Sequence, residues 1–133
     1  MTSTLDTRNF TKSPIPRFPY EEALQATLPG WDMSLAFAGR TRAQSMNIRL
    51  RGKDYVPNVL SYEAGPKSGE IVICLDEAKR QASEYGMTYA QFVGFLFIHG
   101  CFHLKGEQHG ATMDRKERLL LKRLTSPSKT RSS

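Results

Sequence analysis

The three histidines of this chain all fall in one run, His99-Gly100-Cys101-Phe102-His103-Leu104-Lys105-Gly106-Glu107-Gln108-His109. His99 and His103 are four apart, so on a helix their imidazoles project from one face, one turn apart. Gly106 can take a positive φ and end that helix, and the turned chain then brings His109 back toward the other two. Three imidazoles converging from a helix and the turn after it make an open tetrahedral metal site, with the fourth position left for water or substrate. His99, His103 and His109 are therefore the expected ligands of one transition metal per chain. Zinc is the first choice, and imidazole also suits nickel, copper and iron. An isolated histidine on an apolar helix face is usually a hydrogen-bonded core residue. Three at this spacing, with none elsewhere, point to a metal.

The elements around this run must hold it rigid. Thr88 and Gln91 form a capping-box pattern that starts a helix. That helix continues through Phe92-Val93-Gly94-Phe95-Leu96-Phe97-Ile98, apolar on every side, which predicts a buried central helix running straight into His99 and His103. Tyr20 to Leu28 and Arg40 to Leu50 read as helices, the second with a thin apolar face. Trp31 to Ala38, Val59 to Tyr62 and Glu70 to Cys74 read as strands, the last two joined by a hairpin-like connection. Asp76 is placed to cap a helix with Ala78, Ala82 and Tyr85 inward, ended by Gly86. Ala111 to Leu124 is a last amphipathic helix with Met113, Leu120, Leu121 and Leu124 inward and Arg115, Arg118 and Lys122 as a basic stripe. Strands and helices mixed without regular alternation predict an α+β fold, a small sheet packed with helices. Residues 1–19, polar and bearing Pro14, Pro16 and Pro19, read as a flexible N-terminal arm. Residues 20–125 read as a single domain, and 126–133 as a disordered basic tail.

Bulk properties narrow the function classes. At 39% hydrophobic and 24% charged, the 133 residues have the composition of a soluble protein with a real core. The longest apolar run, Phe92 to Ile98, is too short to span a membrane, and no secretory signal is expected in the polar first residues. Cys74 and Cys101, the only cysteines, offer no disulfide framework and fit a reducing, cytoplasmic compartment. Cys101 is expected to pack away from the ligand face. A formal charge of +6 favours polyanionic partners, nucleic acid before membrane.

Taken together, the histidine block and the strand region resemble the YbeY family of metal-dependent endoribonucleases and bacterial rRNA maturation factors. The family block H-G-x-L-H-L-x-G-Y-D-H is matched at His99, Gly100, His103, Leu104, Gly106 and His109. A second block, roughly L-N-x-x-Y-R-G-x-D-x-x-T-D/N-V-L-S-F, is echoed by Asn47, Arg51, Gly52, Asp54, Asn58, Val59, Leu60 and Ser61. The family's G-[DE]-I-x-I strand stands as Gly69-Glu70-Ile71-Val72-Ile73. Phe102, Glu107-Gln108, Leu50 and Pro57 depart from the family pattern.

The resemblance runs from about Trp31 to Leu124. It implies a mixed, mostly parallel sheet packed with helices, and a metal site beside a basic groove. It also implies a single-strand-preferring endoribonuclease of rRNA (16S 3′-end) maturation and ribosome quality control. The expected partners are then RNA and the small ribosomal subunit, with a small-subunit ribosomal protein among them and no membrane.

Such chemistry needs a fixed cation for the phosphoryl charge of the transition state, and Arg51 is the candidate. Its planar fork binds phosphate bidentately and keeps its charge. Arg51 and His99 are thus the expected catalytic residues. Two other classes stay open: a small zinc peptidase, and a non-catalytic zinc-containing ribosome-assembly factor. The H-E-x-x-H-x-x-G-x-x-H spacing of zinc proteases suggests the first, but Gly100 stands where those enzymes keep their general-base glutamate.

Overall fold

The computed structural model describes residues 1–125. The elements are β1 (Thr4–Asn9), α1 (Tyr20–Thr27), β2 (Asp32–Ala38), α2 (Arg40–Arg51), β3 (Val59–Gly65), β4 (Ser68–Cys74), α3 (Leu75–Gln81), a 3-10 turn (Ala82–Tyr85), α4 (Tyr89–Lys105) and α5 (Ala111–Thr125). The four strands make one sheet in the order β1-β2-β4-β3. β1 and β4 both lie parallel to β2, and β3 returns antiparallel along β4. The fold is α+β, as the mixed order of elements predicts, and its sheet is mixed and mostly parallel, as the family resemblance implies.

Strand periodicity decides which face carries the core. Met33, Leu35 and Phe37 of β2 and Ile71 and Ile73 of β4 point to one face, where α1, α3, α4 and α5 supply the rest of the main core. Ala36, Ala38, Leu60 and Val72 point to the other face and form a small second cluster with Met46 of α2. That face needs only one helix, which is why α2 buries just Ala43 and Asn47 and looks thin in sequence. Phe92, Phe97 and Ile98 of α4 are fully buried, each contributing roughly 1.5–3 kcal/mol of transfer free energy.

The expectation of a flexible arm over residues 1–19 is corrected. Thr4–Asn9 pairs with β2 along its whole length, from Thr4 opposite Asp32 to Asn9 opposite Phe37. Only Leu5 is even partly buried, so this edge strand shows no apolar alternation to read. Its outward Asp6 and Arg8 suit an edge that must not pair further. Farther along the same stretch, Phe18 lies over Gly94 of α4, where an added Cβ would stand 2.3 Å from the ring. The 126–133 tail lies outside the described residues.

Two local expectations also change. Asp76 is not the cap of α3: Cys74 holds that position without a side-chain hydrogen bond, and Asp76 sits in the first turn. Tyr85 is 47% exposed instead of inward. The chain tightens to 3-10 geometry over Ala82–Tyr85 and rotates the ring out of the core, where it lies tilted over Phe92 and beside Phe95.

α3 is held to α2 by a buried charge. Glu77 accepts from Arg80 Nη2 at 2.7 Å and Gln81 Nε2 at 2.8 Å, and pairs with Arg40 at the start of α2. The Arg80 hydrogen bond foremost, then those of Arg40 and Gln81, outweigh burial and hold the Glu77 carboxyl down at about 2, against 4.5 unperturbed. Because the folded value is depressed, this contribution is fully present above pH 4.5 and is lost as pH falls toward 2. Urea unfolding at pH 7 and pH 3 should therefore show Glu77→Gln losing less stability than the parent chain. The difference should be on the order of 1–2 kcal/mol, since both arginines remain largely solvated. Equal acid sensitivity of the two proteins would remove Glu77 from this role.

Candidate active site

α4 is built to carry ligands at its end. Its start is the predicted capping box: Thr88 Oγ1 accepts from Gln91 N at 3.1 Å, and Gln91 Oε1 accepts from Thr88 N at 3.0 Å. Its C-terminus closes on Gly106, with φ of 97°, whose N–H donates to His103 O at 3.0 Å. The turn to α5 then places His109 beside the two helical histidines. Ring centroids are 5.0 Å apart for His99 and His109, and 6.0 Å for His103 and His109. The rings are neighbours and not a closed ligand set: among the described residues, no three His, Cys, Asp or Glu side chains meet at metal-holding spacing.

Each helical imidazole is oriented through its Nδ1 atom. His99 Nδ1 stands 2.6 Å from Glu117 Oε2, a carboxylate that accepts, so Nδ1 carries the proton. His103 Nδ1 lies 2.8 Å from Ser61 Oγ on β3, which can accept from it in the same way. With the proton on Nδ1, each arrangement leaves the Nε2 lone pair free. Imidazoles held through Nδ1 with the Nε2 lone pair remaining are of the ligand type a transition-metal ion takes, so His99 and His103 suit one in their chemistry. Desolvation first, then the positive potentials of His109, His99 and Arg51, hold the His103 pKa below its usual value. That keeps the ring neutral, as a ligand must be.

Arg51 comes to the same place from the other side of the sheet edge. It is the last residue of α2, where Gly52 turns the chain with φ of 67°. Its Nη1 reaches Asn47 Oδ1 at 3.4 Å and Tyr55 Oη at 3.3 Å. Asn47 is fully buried and also donates to Tyr55 O at 3.1 Å, tying the loop after α2 to the helix. Arg51, Asn58, Ser61, His99, His103 and His109 line one cleft of about 310 Å³. Asp54 is turned away and accepts from Gln44 instead.

Gly100 has a packing reason. A Cβ there would meet Ile71 Cδ1 at 3.0 Å, so α4 lies close against β4 and any side chain would press on the Ile71 side chain. Glycine itself supplies no general base at this position. Cys101 is fully buried, and desolvation pushes its thiol up to about 12, so it packs and does not ligate.

The residue that sequence reasoning passed over is Glu117. It is only 3% exposed, and it lies on the apolar face of α5 with Met113, Leu120 and Leu121. A carboxylate at that spacing was the available signal, because a buried charge requires a partner. Glu107, just before the third histidine, is paired with Lys116 at 2.9 Å and does not reach the imidazoles.

The model of the family described as Endoribonuclease YbeY matches residues 5–125. The chain belongs to the YbeY family. It is similar to an Endoribonuclease YbeY of Bdellovibrio bacteriovorus, at 38% identity over 91 residues covering 67% of this chain and 61% of that protein. It is also similar to one of Alkaliphilus oremlandii, at 34% identity over 116 residues covering 73% and 77%. The YbeY match thus spans three-fifths to three-quarters of those relatives' lengths. Among solved structures, TM1509 of Thermotoga maritima, determined in solution, shares the fold: TM-score 0.67 at 19% identity, covering 91% of this chain and 89% of that one. For a YbeY-family chain, β1 is then part of the shared domain, since the matched segment begins at residue 5.

Proposed function

We propose that this chain is a metal-dependent endoribonuclease that cuts single-stranded RNA, with ribosomal RNA of the small subunit as its substrate. The observation that carries this is one cleft holding three imidazoles, two of them fixed through Nδ1, with Arg51 facing them. His99, His103 and His109 would hold one ion, zinc by preference, through their remaining ring nitrogens. A bound ion of this kind polarises a phosphoryl oxygen or lowers the pKa of its water to about 7. Arg51 supplies a permanent positive charge for the phosphoryl oxygens, and Asn47 and Tyr55 restrict where its fork points. The glycine at position 100 weighs against a peptidase, since nothing there can deprotonate an attacking water.

The net charge of +6 supports binding to RNA through phosphates, with little base-reading of its own. No described helix is long and apolar enough to cross a membrane. Cys74 and Cys101 are both free and buried, which suits the reducing cytoplasm, where ribosomal subunits mature. A small-subunit ribosomal protein would be a fitting partner there.

The test offers the purified chain a single-stranded RNA, ribosomal RNA and an unfolded polypeptide. RNA cleavage should stop on chelation and return with added zinc, and RNA affinity should fall steeply with salt. Polypeptide cleavage instead, or no metal-dependent cleavage of RNA, would overturn the proposal.

A further inference from the structure

A second cleft, of about 290 Å³, adjoins the first and shares His99 and His109 with it. The first cleft offers the Arg51 guanidinium, the Ser61 hydroxyl and the three imidazoles. The second is lined on its far side by Tyr85 and Phe95, with Asp114 and Arg118 of α5 among its other walls. Tyr85 is backed by Phe92, at 4.7 Å between centroids and 30° between planes, yet remains 47% exposed. One ring face is therefore supported and the other is open. Arg118 places its guanidinium carbon 5.7 Å from the Phe95 centroid, and its Nε contacts both Asp114 carboxylate oxygens at 3.3 Å.

We propose that this cleft is a nucleobase subsite, holding the base of the nucleotide next to the scissile phosphate. The inference rests on the endoribonuclease reading and adds where the neighbouring nucleotide sits. A supported aromatic face is the platform on which a base stacks, whatever its identity. Arg118 and Asp114 put donors and an acceptor beside that platform, within reach of a base edge. The volume admits one nucleoside and not a run of stacked bases. Because His99 and His109 wall both clefts, a strand crossing them sets its phosphate against Arg51 while the adjoining base enters on the Tyr85 side. A double helix would keep that base stacked in its own duplex, so the subsite favours single strands.

The test uses a short single-stranded RNA with 2-aminopurine at successive positions, and the same RNA with one abasic residue walked through it. In the parent chain, 2-aminopurine fluorescence should be quenched at one position beside the cut. An abasic residue at that position should raise KM by a factor on the order of ten, the usual worth of one stacked base. Tyr85→Leu, which keeps an apolar cover over Phe92, should lose the quenching and show no abasic penalty. Tyr85→Phe should keep both, and matching thermal midpoints would exclude misfolding as the cause. Cleavage without positional quenching, or an undiminished abasic penalty in Tyr85→Leu, would overturn the subsite while leaving the nuclease proposal standing. Positional quenching by a chain that cleaves no RNA would support the subsite and sink the nuclease proposal.

Discussion

Arg51→Ala is expected to lower metal-dependent RNA cleavage by a factor on the order of a hundred or more, the effect of removing one preorganised electrostatic contact. The side chain is exposed, and its own hydrogen bonds, to Asn47 and Tyr55, are long at 3.3–3.4 Å. Removing it leaves Asn47 buried and still bonded to Tyr55 O, so the fold and the three imidazoles should be unaffected. The loss should fall on kcat, because the contact strengthens as phosphoryl charge develops. Arg51→Lys should recover only part of the rate, since an ammonium cannot reproduce the bidentate fork. Single-turnover cleavage of a labelled RNA, with bound metal measured on the same samples, checks this. Full cleavage by Arg51→Ala would remove Arg51 from the chemistry.

How much of this was legible in sequence depends on whether a feature is written locally. The i, i+4 pair His99 and His103, the glycine at 106 and the Thr88–Gln91 box each need only a few neighbouring residues, and the structure places all of them as the spacing requires. The apolar run of α4 declared its own burial. Features that depend on distant partners were silent. β1 is a strand because β2 offers it an open edge, and its own side chains are mostly solvated. Helical periodicity points Tyr85 inward, and the change to 3-10 geometry from Ala82 onward turns it out. Asn47 and Ser61 matched the family blocks, but neither could be told from an ordinary turn or strand residue. Only the approach of α2 to its loop, and of β3 to α4, gives them their partners.

Glu117 is the sharpest instance, and it carries the second large prediction. Its carboxylate is buried in the apolar stripe of α5, where an unpaired charge would cost several kcal/mol. The partner it finds is His99 Nδ1, at 2.6 Å. This contact fixes both the ring plane and the tautomer of a proposed ligand, leaving Nε2 unprotonated. A carboxylate behind a ligating imidazole also raises its basicity, and losing such a partner typically lowers metal affinity 10- to 100-fold. Glu117→Gln should therefore weaken zinc binding by about that factor, measured by competition with a chelating dye.

Glutamine fills nearly the same volume, and its amide oxygen can still accept from Nδ1. The melting midpoint of the metal-free protein should then shift little while affinity falls. That split separates a positioning role from a structural one, which would move the midpoint and leave affinity alone. His99→Ala makes the reciprocal case: it strands the Glu117 carboxylate without its imidazole, so the metal-free protein itself should lose stability. Unchanged zinc affinity in Glu117→Gln would show that the His99 ring needs no carboxylate behind it.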